Sequence, residues 1–411
     1  MTRVIVVGGG ASGLAAAIVA SKGKSNVMIL ERNNCLGKKI LITGNGKCNY
    51  WNENQSVNYY HSYNKELLEE VITLNNQKKV LDFFEHLGVI PRIKNGYYYP
   101  YSNQAVAVKM ALVNEINSSN IKVVTETFVK EIKREDDKFL VITNNENFVA
   151  DKVIIATGSC AAPQTGSDGN GYLLAESLGH KLIPVLPSLT QIYGSNSYYK
   201  EWNGIRLNAL VSLYEEDEKI REEKGEIHLT SYGISGICTF NLSGLVAKGL
   251  AKKKKEVIYI NFVDELGISN KKDLVRWLDE RNEKLGNRKV DKLFDGFINY
   301  KLINLFLKIG NIDKDWFWND LKEEQKLCLA NMLVNFKFNV LKVNDFSSAQ
   351  VCSGGVALTE INIKTMESLK VKNLYFTGEI LDIDGDCGGY NLSFAWISGI
   401  LAGEAVREDN A

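Results

Sequence analysis

The sequence predicts an α/β fold whose central sheet is assembled from both ends of the chain, and three observations predict it. Residues 4 to 32, VIVVGGGASGLAAAIVASKGKSNVMILER, read as a strand, a glycine turn, a small-residue helix and a second strand ending in an acid. VIIATG, Val153 to Gly158, is a further apolar strand that stops at small residues. The chain then closes through LYFTGE and GGYNLSFAWISGILAGEAV, an apolar strand followed by a helix of small and apolar residues. Such closing elements belong beside the opening ones in a single sheet, with the middle of the chain inserted between them.

The opening unit carries the most specific chemistry. Gly8, Gly10 and Gly13 fill G-x-G-x-x-G directly after a strand and at the start of a helix. The first glycine permits the tight turn, the second lets backbone approach a pyrophosphate, and the third lets helix pack on strand, which makes the unit Rossmann-like. An anion there meets unpaired N–H groups and the positive end of the helix dipole. Glu31 stands twenty-three residues after Gly8, at the end of the second strand. Its carboxylate suits a ribose 2′-OH and opposes a 2′-phosphate, so FAD or NAD fits better than NADP.

GKKILITGNGKCNYWNEN, Gly37 to Asn54, is too rich in glycine, lysine and asparagine for a regular core element and reads as a wrapping loop. Helical spacing runs from Asn64 to Leu87 and again from Ala105 to Ile116. The strand Ile121 to Glu126 and the β-meander that follows return to the strand ending at Gly158. From about Pro187 the pattern changes to period-two runs, SLTQIY, IRLNALVSLY, EKIREEKGEIHLT and VIYINFV, which suit an antiparallel sheet or small barrel. A lysine- and glutamate-rich stretch with leucines at helical intervals then reads as a helical insert. The expected organisation is a nucleotide-binding domain from 1–187 and 345–411, a β-rich substrate domain from 188–265 and 334–344, and a helical insert at 266–333.

Composition bounds the partners. The 411 residues suffice for two or three domains, and 49 basic residues balance 49 acidic ones, which points to neither nucleic acid nor a membrane surface. Lys252 to Lys255 form one local basic block, read as a solvated helix end. Seven cysteines are scattered singly without C-x-x-C or zinc spacing, so no metal site is expected and the thiols should be reduced. With no apolar leader and no membrane-length apolar run, a soluble cytoplasmic enzyme is the expectation; its oligomeric state is open.

The remaining constellations favour FAD over NAD. Ala156, Thr157 and Gly158 end a strand with residues small enough for a ring system to lie against. Gly378 and Glu379 place a glycine and an acid after an apolar strand, where flavoproteins commonly hold the ribityl or pyrophosphate; Asp382 is an alternative donor of that carboxylate. Gly388 and Gly389 open the last helix before Tyr390, Asn391 and Leu392, so its N-terminal N–H groups can stabilise charge on a reduced flavin ring. NAD would use the opening unit alone, whereas these signals span the chain.

TGNGKCN, GGGASGLAAA, PQTGSDGNGY, ESLGHKLIPVLPSL, YGISG, GGVALTEI, TMES and GEILDIDGDCGGYNLSFAW together resemble the aminoacetone-oxidase-like family of NAD(P)/FAD-dependent oxidoreductases, which also contains bile-acid ene reductases. The resemblance runs from residue 1 to about 406. It implies an FAD domain built from both ends, a β-barrel-like domain and a helical domain. It further implies FAD contacts from the Gly8, Gly10, Ala11, Ser12 and Gly13 turn, Glu31 and Arg32, and from Lys39 with the loop of Thr43, Gly44, Gly46, Lys47, Cys48 and Asn49. Val129, Ala156 to Gly158, Gly378, Glu379, Asp382 and Gly388 to Leu392 complete the implied set. Lys47 stands where relatives often have Arg, keeping the charge without the planar fork.

No second G-x-G-x-x-G follows a strand, so an NAD(P)H donor would dock transiently. The run Tyr97 to Tyr101 is placed to wall such a cavity, though clustered tyrosines more often pack than react; no catalytic acid or base is assigned. His180 reads as a hydrogen-bonded helix-end residue, and Cys48 has no partner thiol in sequence reach. Three functions stay open. The leading one is reduction of an activated C=C bond in a small or medium apolar substrate with NAD(P)H-derived hydride. The alternatives are a flavin amine oxidase passing electrons to O2 and a non-catalytic flavin-binding redox sensor.

Overall fold

The computed structural model describes residues 1–408. They form two compact units, one from Met1–Leu186 and the chain from Phe346 onward, the other from Pro187–Asp345. In the first unit, β1 (Arg3–Val7) lies centrally in a seven-stranded sheet. β1 pairs in parallel with β2 (Asn26–Leu30) on one side and with Lys152–Ile155 on the other, Val4 facing Val27 and Lys152. Leu374–Phe376 extends the parallel order beyond Lys152–Ile155, and Ile121–Val124 extends it beyond β2. First and last thirds of the chain thus share one sheet, as expected. Val4, Val6, Ile154 and Ile155 are sealed because both faces of a parallel sheet are covered.

α1 (Ala11–Ser21) is buried from Ser12 to Ala20 because its residues are small enough for other elements to close on it all round. The C-terminal helix Tyr390–Glu408 does so at two glycines. A Cβ on Gly399 would lie 2.4 Å from the Ser12 carbonyl oxygen, and one on Gly403 would lie 2.7 Å from that of Ala16. This contact is backbone against side-chain-free backbone, which no other residue type permits.

Two local readings change. The helix expected over 64–87 is broken into a 3-10 turn, Lys65–Glu70, and a helix, Leu74–His86. Thr73 breaks it: its backbone is extended and its hydroxyl accepts from the Asn76 N–H, an N-cap that restarts the helix. The wrapping loop also contains a 3-10 stretch, Lys39–Gly46, interrupted where Gly44 and Asn45 take left-handed conformations.

In the second unit, Ile192–Gly194, Gly233–Ser235, Glu218–Thr230, Ile205–Glu215, Glu256–Asn261 and Phe336–Val343 close into an antiparallel barrel in that order. Alternation along Ile205–Glu215 turns Ala209, Val211 and Leu213 inward. The helices Lys271–Leu285, Tyr300–Ile309 and Glu323–Val334 follow the leucine spacing; Asn270 and Asn299 cap the first two. Helices and barrel bury one shared core, in which Phe306 stacks on Phe336 with ring centroids 5.2 Å apart. Among the described residues no helix is long and apolar enough to cross a membrane.

Gly399→Ala separates two opposing effects. Alanine gains about 1 kcal/mol of helix propensity over glycine, but overpacking against backbone costs about 1–3 kcal/mol. At 2.4 Å the clash dominates. Denaturant unfolding is expected to show a net loss of up to about 2 kcal/mol; an increase in midpoint would refute the tight helix contact.

Candidate functional site

The glycine turn after β1 is shaped by what it must avoid. Gly8, at φ +107°, has no room for a Cβ, which would sit 2.5 Å from the Ala156 carbonyl oxygen. Gly13 is equally enclosed, its Cβ position lying 2.0 Å from the Gly8 carbonyl oxygen. Gly10 is the opposite: a Cβ there would meet nothing within 4 Å. Gly10 is also the N-cap of α1 and supplies no side chain to the first N–H groups of Ala11 and Ser12. The turn therefore presents an open face edged with donors, as a pyrophosphate requires.

Glu31 is buried and holds this turn from below. Its Oε2 accepts the Gly9 N–H at 2.8 Å, and its Oε1 accepts both the backbone N–H and the side-chain amide of Asn33 at 2.7 and 2.8 Å. A carboxylate oxygen takes more than one donor, so Oε2 retains capacity for a ribose hydroxyl. Arg32 points elsewhere, pairing with Asp168 and lying 5.0 Å over the Phe128 ring. Val129 is buried, and its carbonyl accepts from Asn170 at 2.8 Å.

Lys39, on the wrapping loop, pairs with Glu379 at 2.7 Å, and Ser159 donates to the same Glu379 Oε2 at 3.0 Å. The two carboxylates after Gly378 differ in use. Asp382 Oδ2 accepts the Tyr63 N–H at 2.8 Å and the Ser62 hydroxyl at 3.1 Å, so it fastens the chain segment after His61. Gly378 itself is fixed by its N–H donating to Ser398 Oγ at 2.9 Å.

The last helix opens at Tyr390 after Gly388 at φ +134° and Gly389 at φ +95°. Asn391 grips both backbone groups of Gly385, accepting its N–H at 2.8 Å and donating to its carbonyl at 2.7 Å. What residues 390–392 can offer a ligand is therefore backbone rather than the Asn391 amide. Tyr390 stacks on Tyr59, centroids 4.7 Å apart, and Leu392 is half-buried. Asn49 comes from the wrapping loop to within 3.1 Å of where a Gly389 Cβ would be. Of that loop, Thr43 Oγ1 donates to the Ile40 carbonyl, while Gly44, Gly46 and Lys47 are exposed. The strand Tyr97–Pro100 bridges the two, Tyr99 lying beside Gly44 and Tyr97 beside Gly388.

Three buried polar atoms in this region have no protein partner, Asn49 Oδ1, Thr157 Oγ1 and Thr377 Oγ1. An unmade hydrogen bond at a buried group costs about 1–3 kcal/mol. Asn49 lies on the wrapping loop, whereas Thr157 Oγ1 faces the helix Asn170–Ser177, where a Cβ on Gly171 would lie 1.9 Å from it. The open, donor-edged face at Gly10 and the Glu31 carboxylate beneath Gly9 are what the residues present offer FAD, and they fit it.

Cys48 is sealed, and burial pushes its thiol up to about 12 against a weaker opposing hydrogen bond from Thr43. His180 is a core residue; its Nε2 lies 2.7 Å from Ser368 Oγ, and burial lowers its affinity for a proton. The sequence reading missed His61, whose Nε2 lies 2.8 Å from Asp386 Oδ1. The antiparallel pairing of Tyr60–His61 with Asp384–Gly385 creates that pair, and no local pattern announces it.

Fold and site define the class, an FAD-dependent oxidoreductase. The HI0933-like protein Rossmann domain model matches residues 2–405, and the chain belongs to that family. It is 36% identical to a 3-dehydro-bile acid delta(4,6)-reductase of Clostridium scindens, over 99% of this chain and 100% of that one. It is 24% identical to a ribosomal RNA dihydrouridine synthase of Escherichia coli, over 96% of this chain and 95% of that one. A quinol-fumarate reductase structure, at 14% identity and a TM-score of 0.51, covers 100% of this chain and 71% of its own, a likeness of fold.

Gly10→Val fills the open face without a clash in the protein itself. The variant is expected to fold normally and to purify without flavin absorbance in the visible range; a normally yellow preparation would contradict the placement of the pyrophosphate. Cys48 is expected to resist N-ethylmaleimide at pH 8 in the native protein, read by mass spectrometry, with rapid labelling counting against its burial.

Proposed function

We propose that the chain reduces an activated carbon–carbon double bond in a small or medium apolar substrate, using hydride from NAD(P)H. The observation that carries it is the open, donor-edged turn at Gly10 above the Glu31 carboxylate, on a chain 36% identical over its length to a 3-dehydro-bile acid delta(4,6)-reductase. Bound FAD supplies the hydride-accepting and hydride-donating ring. The Gly8–Gly13 turn would hold its pyrophosphate and Glu31 its adenosine ribose. Lys39, Glu379 and the Thr43–Asn49 loop would hold the ribityl side. The N–H groups after Gly389 would face the electron-rich edge of the ring, where the dipole of a long helix lowers the energy of negative charge by about 0.3–1 kcal/mol or more when shielded from water.

Two features support the choice of reaction. A reductase acting on a delta(4,6) system and a synthase of dihydrouridine both saturate a carbon–carbon double bond, and both align along nearly the whole chain. The balance of 49 basic and 49 acidic residues supports an apolar small molecule over RNA. NAD(P)H would bind transiently, since no second glycine motif serves it, and a cytoplasmic location supplies that donor.

Anaerobic mixing of the flavin-loaded protein with NADH or NADPH is expected to bleach the visible flavin band. Subsequent addition of a conjugated 3-oxo-4,6-diene steroid should restore it with loss of the diene absorbance. Bleaching by an amine alone would establish the oxidase instead, and reoxidation by uridine-containing RNA but by no enone would overturn the substrate class.

A further inference from the structure

Cys160 and Cys352 lie together although nothing in their spacing pairs them. Cys160 follows the Ala156–Gly158 turn on the loop leading to the helix Asn170–Ser177, and Cys352 stands in the buried strand Val351–Val356. Both pack with Ala161 and Ala349 in a small apolar cluster, and each thiol's hold on its proton is set first by the other. Cys352 is sealed whereas Cys160 is partly exposed, so one sulfur of the pair meets solvent. Gly169 makes room for it: at φ +83°, a Cβ there would lie 2.5 Å from Cys160 Sγ.

The two sulfurs are inequivalent. The hydrogen bond from Cys352 lowers the Cys160 thiol below its ordinary range, outweighing burial and the nearby Asp168, whose charge is met by Arg32. The same bond, and then burial, holds Cys352 as the protonated donor. A partly exposed thiolate beside a sheltered thiol is the arrangement of an attacking and a resolving sulfur. Ser159, which precedes Cys160, donates its hydroxyl to Glu379 Oε2, so the pair adjoins Glu379.

We propose that Cys160 and Cys352 form a dithiol that hydrogen peroxide closes reversibly to an intramolecular disulfide. The Cys160 thiolate attacks one peroxide oxygen; an S–O bond forms, the O–O bond breaks and hydroxide leaves, taking up the proton shed by Cys160 to become water. Cys352 then attacks the sulfenic sulfur; the S–S bond forms, the S–O bond breaks, and the sulfenic hydroxyl departs with the Cys352 proton as a second water. Two electrons pass from the two sulfurs to one peroxide. Cys160 rides on a loop and Cys352 is fixed in a strand, so closure draws the loop inward. A small dithiol reverses the bond by exchange.

The test uses the full-length protein, reduced with dithiothreitol, desalted, titrated with hydrogen peroxide, then denatured, alkylated and mapped by mass spectrometry. Two of the seven thiols are expected to vanish at about one peroxide per chain. They should reappear as a Cys160–Cys352 linked peptide and return on reduction. In Cys352→Ser, Cys160 should stop at a sulfenic acid trapped by dimedone; the wild-type map decides the matter if that variant does not fold. The proposal is overturned if both cysteines remain alkylatable under peroxide that oxidises exposed Cys328, or if Cys160 links only between molecules.

Discussion

The structure of the first unit depends on backbone approaching backbone where no Cβ intervenes. Gly8 and Gly13 bring the turn, α1 and the strand ending at Ile155 into contact distances that any other side chain would forbid. Gly399 and Gly403 do the same for α1 and the C-terminal helix. Interiors pack near crystal density, so these approaches cannot be loosened by one methyl group without moving whole elements. They also frame the cofactor face: Gly8, Gly9 and Gly13 are crowded while Gly10 between them is free, so the helix N-terminus is open there.

Buried charge around the site is arranged to hold backbone as well as ligand. Glu31 satisfies donors of the turn and of Asn33, and Asp382 anchors Ser62 and Tyr63. Lys39 and Glu379 compensate each other in a half-buried pair, which leaving either partner alone would make costly. In contrast, Asn49 Oδ1 and Thr157 Oγ1 are left without protein donors.

The barrel and helices show how far local pattern reaches. Period-two alternation identifies Ile205–Glu215 and Glu218–Thr230, and leucine spacing identifies the three longer helices, because each element buries one regular face. The break at Thr73 escaped notice because apolar residues continue at helical intervals across it, while a single hydroxyl restarts the hydrogen-bond pattern. Phe336–Val343 closes the barrel by pairing with both Ile192–Gly194 and Glu256–Asn261, a role set by partners distant in sequence.

Sequence alone determined the glycine turn, the acid at Glu31, the shared sheet of the two chain ends and the family, because these rest on short-range sterics and on long ordered motifs. Tertiary structure alone decided that Lys39 meets Glu379, that Asp382 turns to the Ser62 loop, that His61 meets Asp386, and that Cys160 meets Cys352. Each of these is a contact between side chains on different elements. Their distance is set by how the sheet, loop and helix pack together, and no spacing along the chain encodes it.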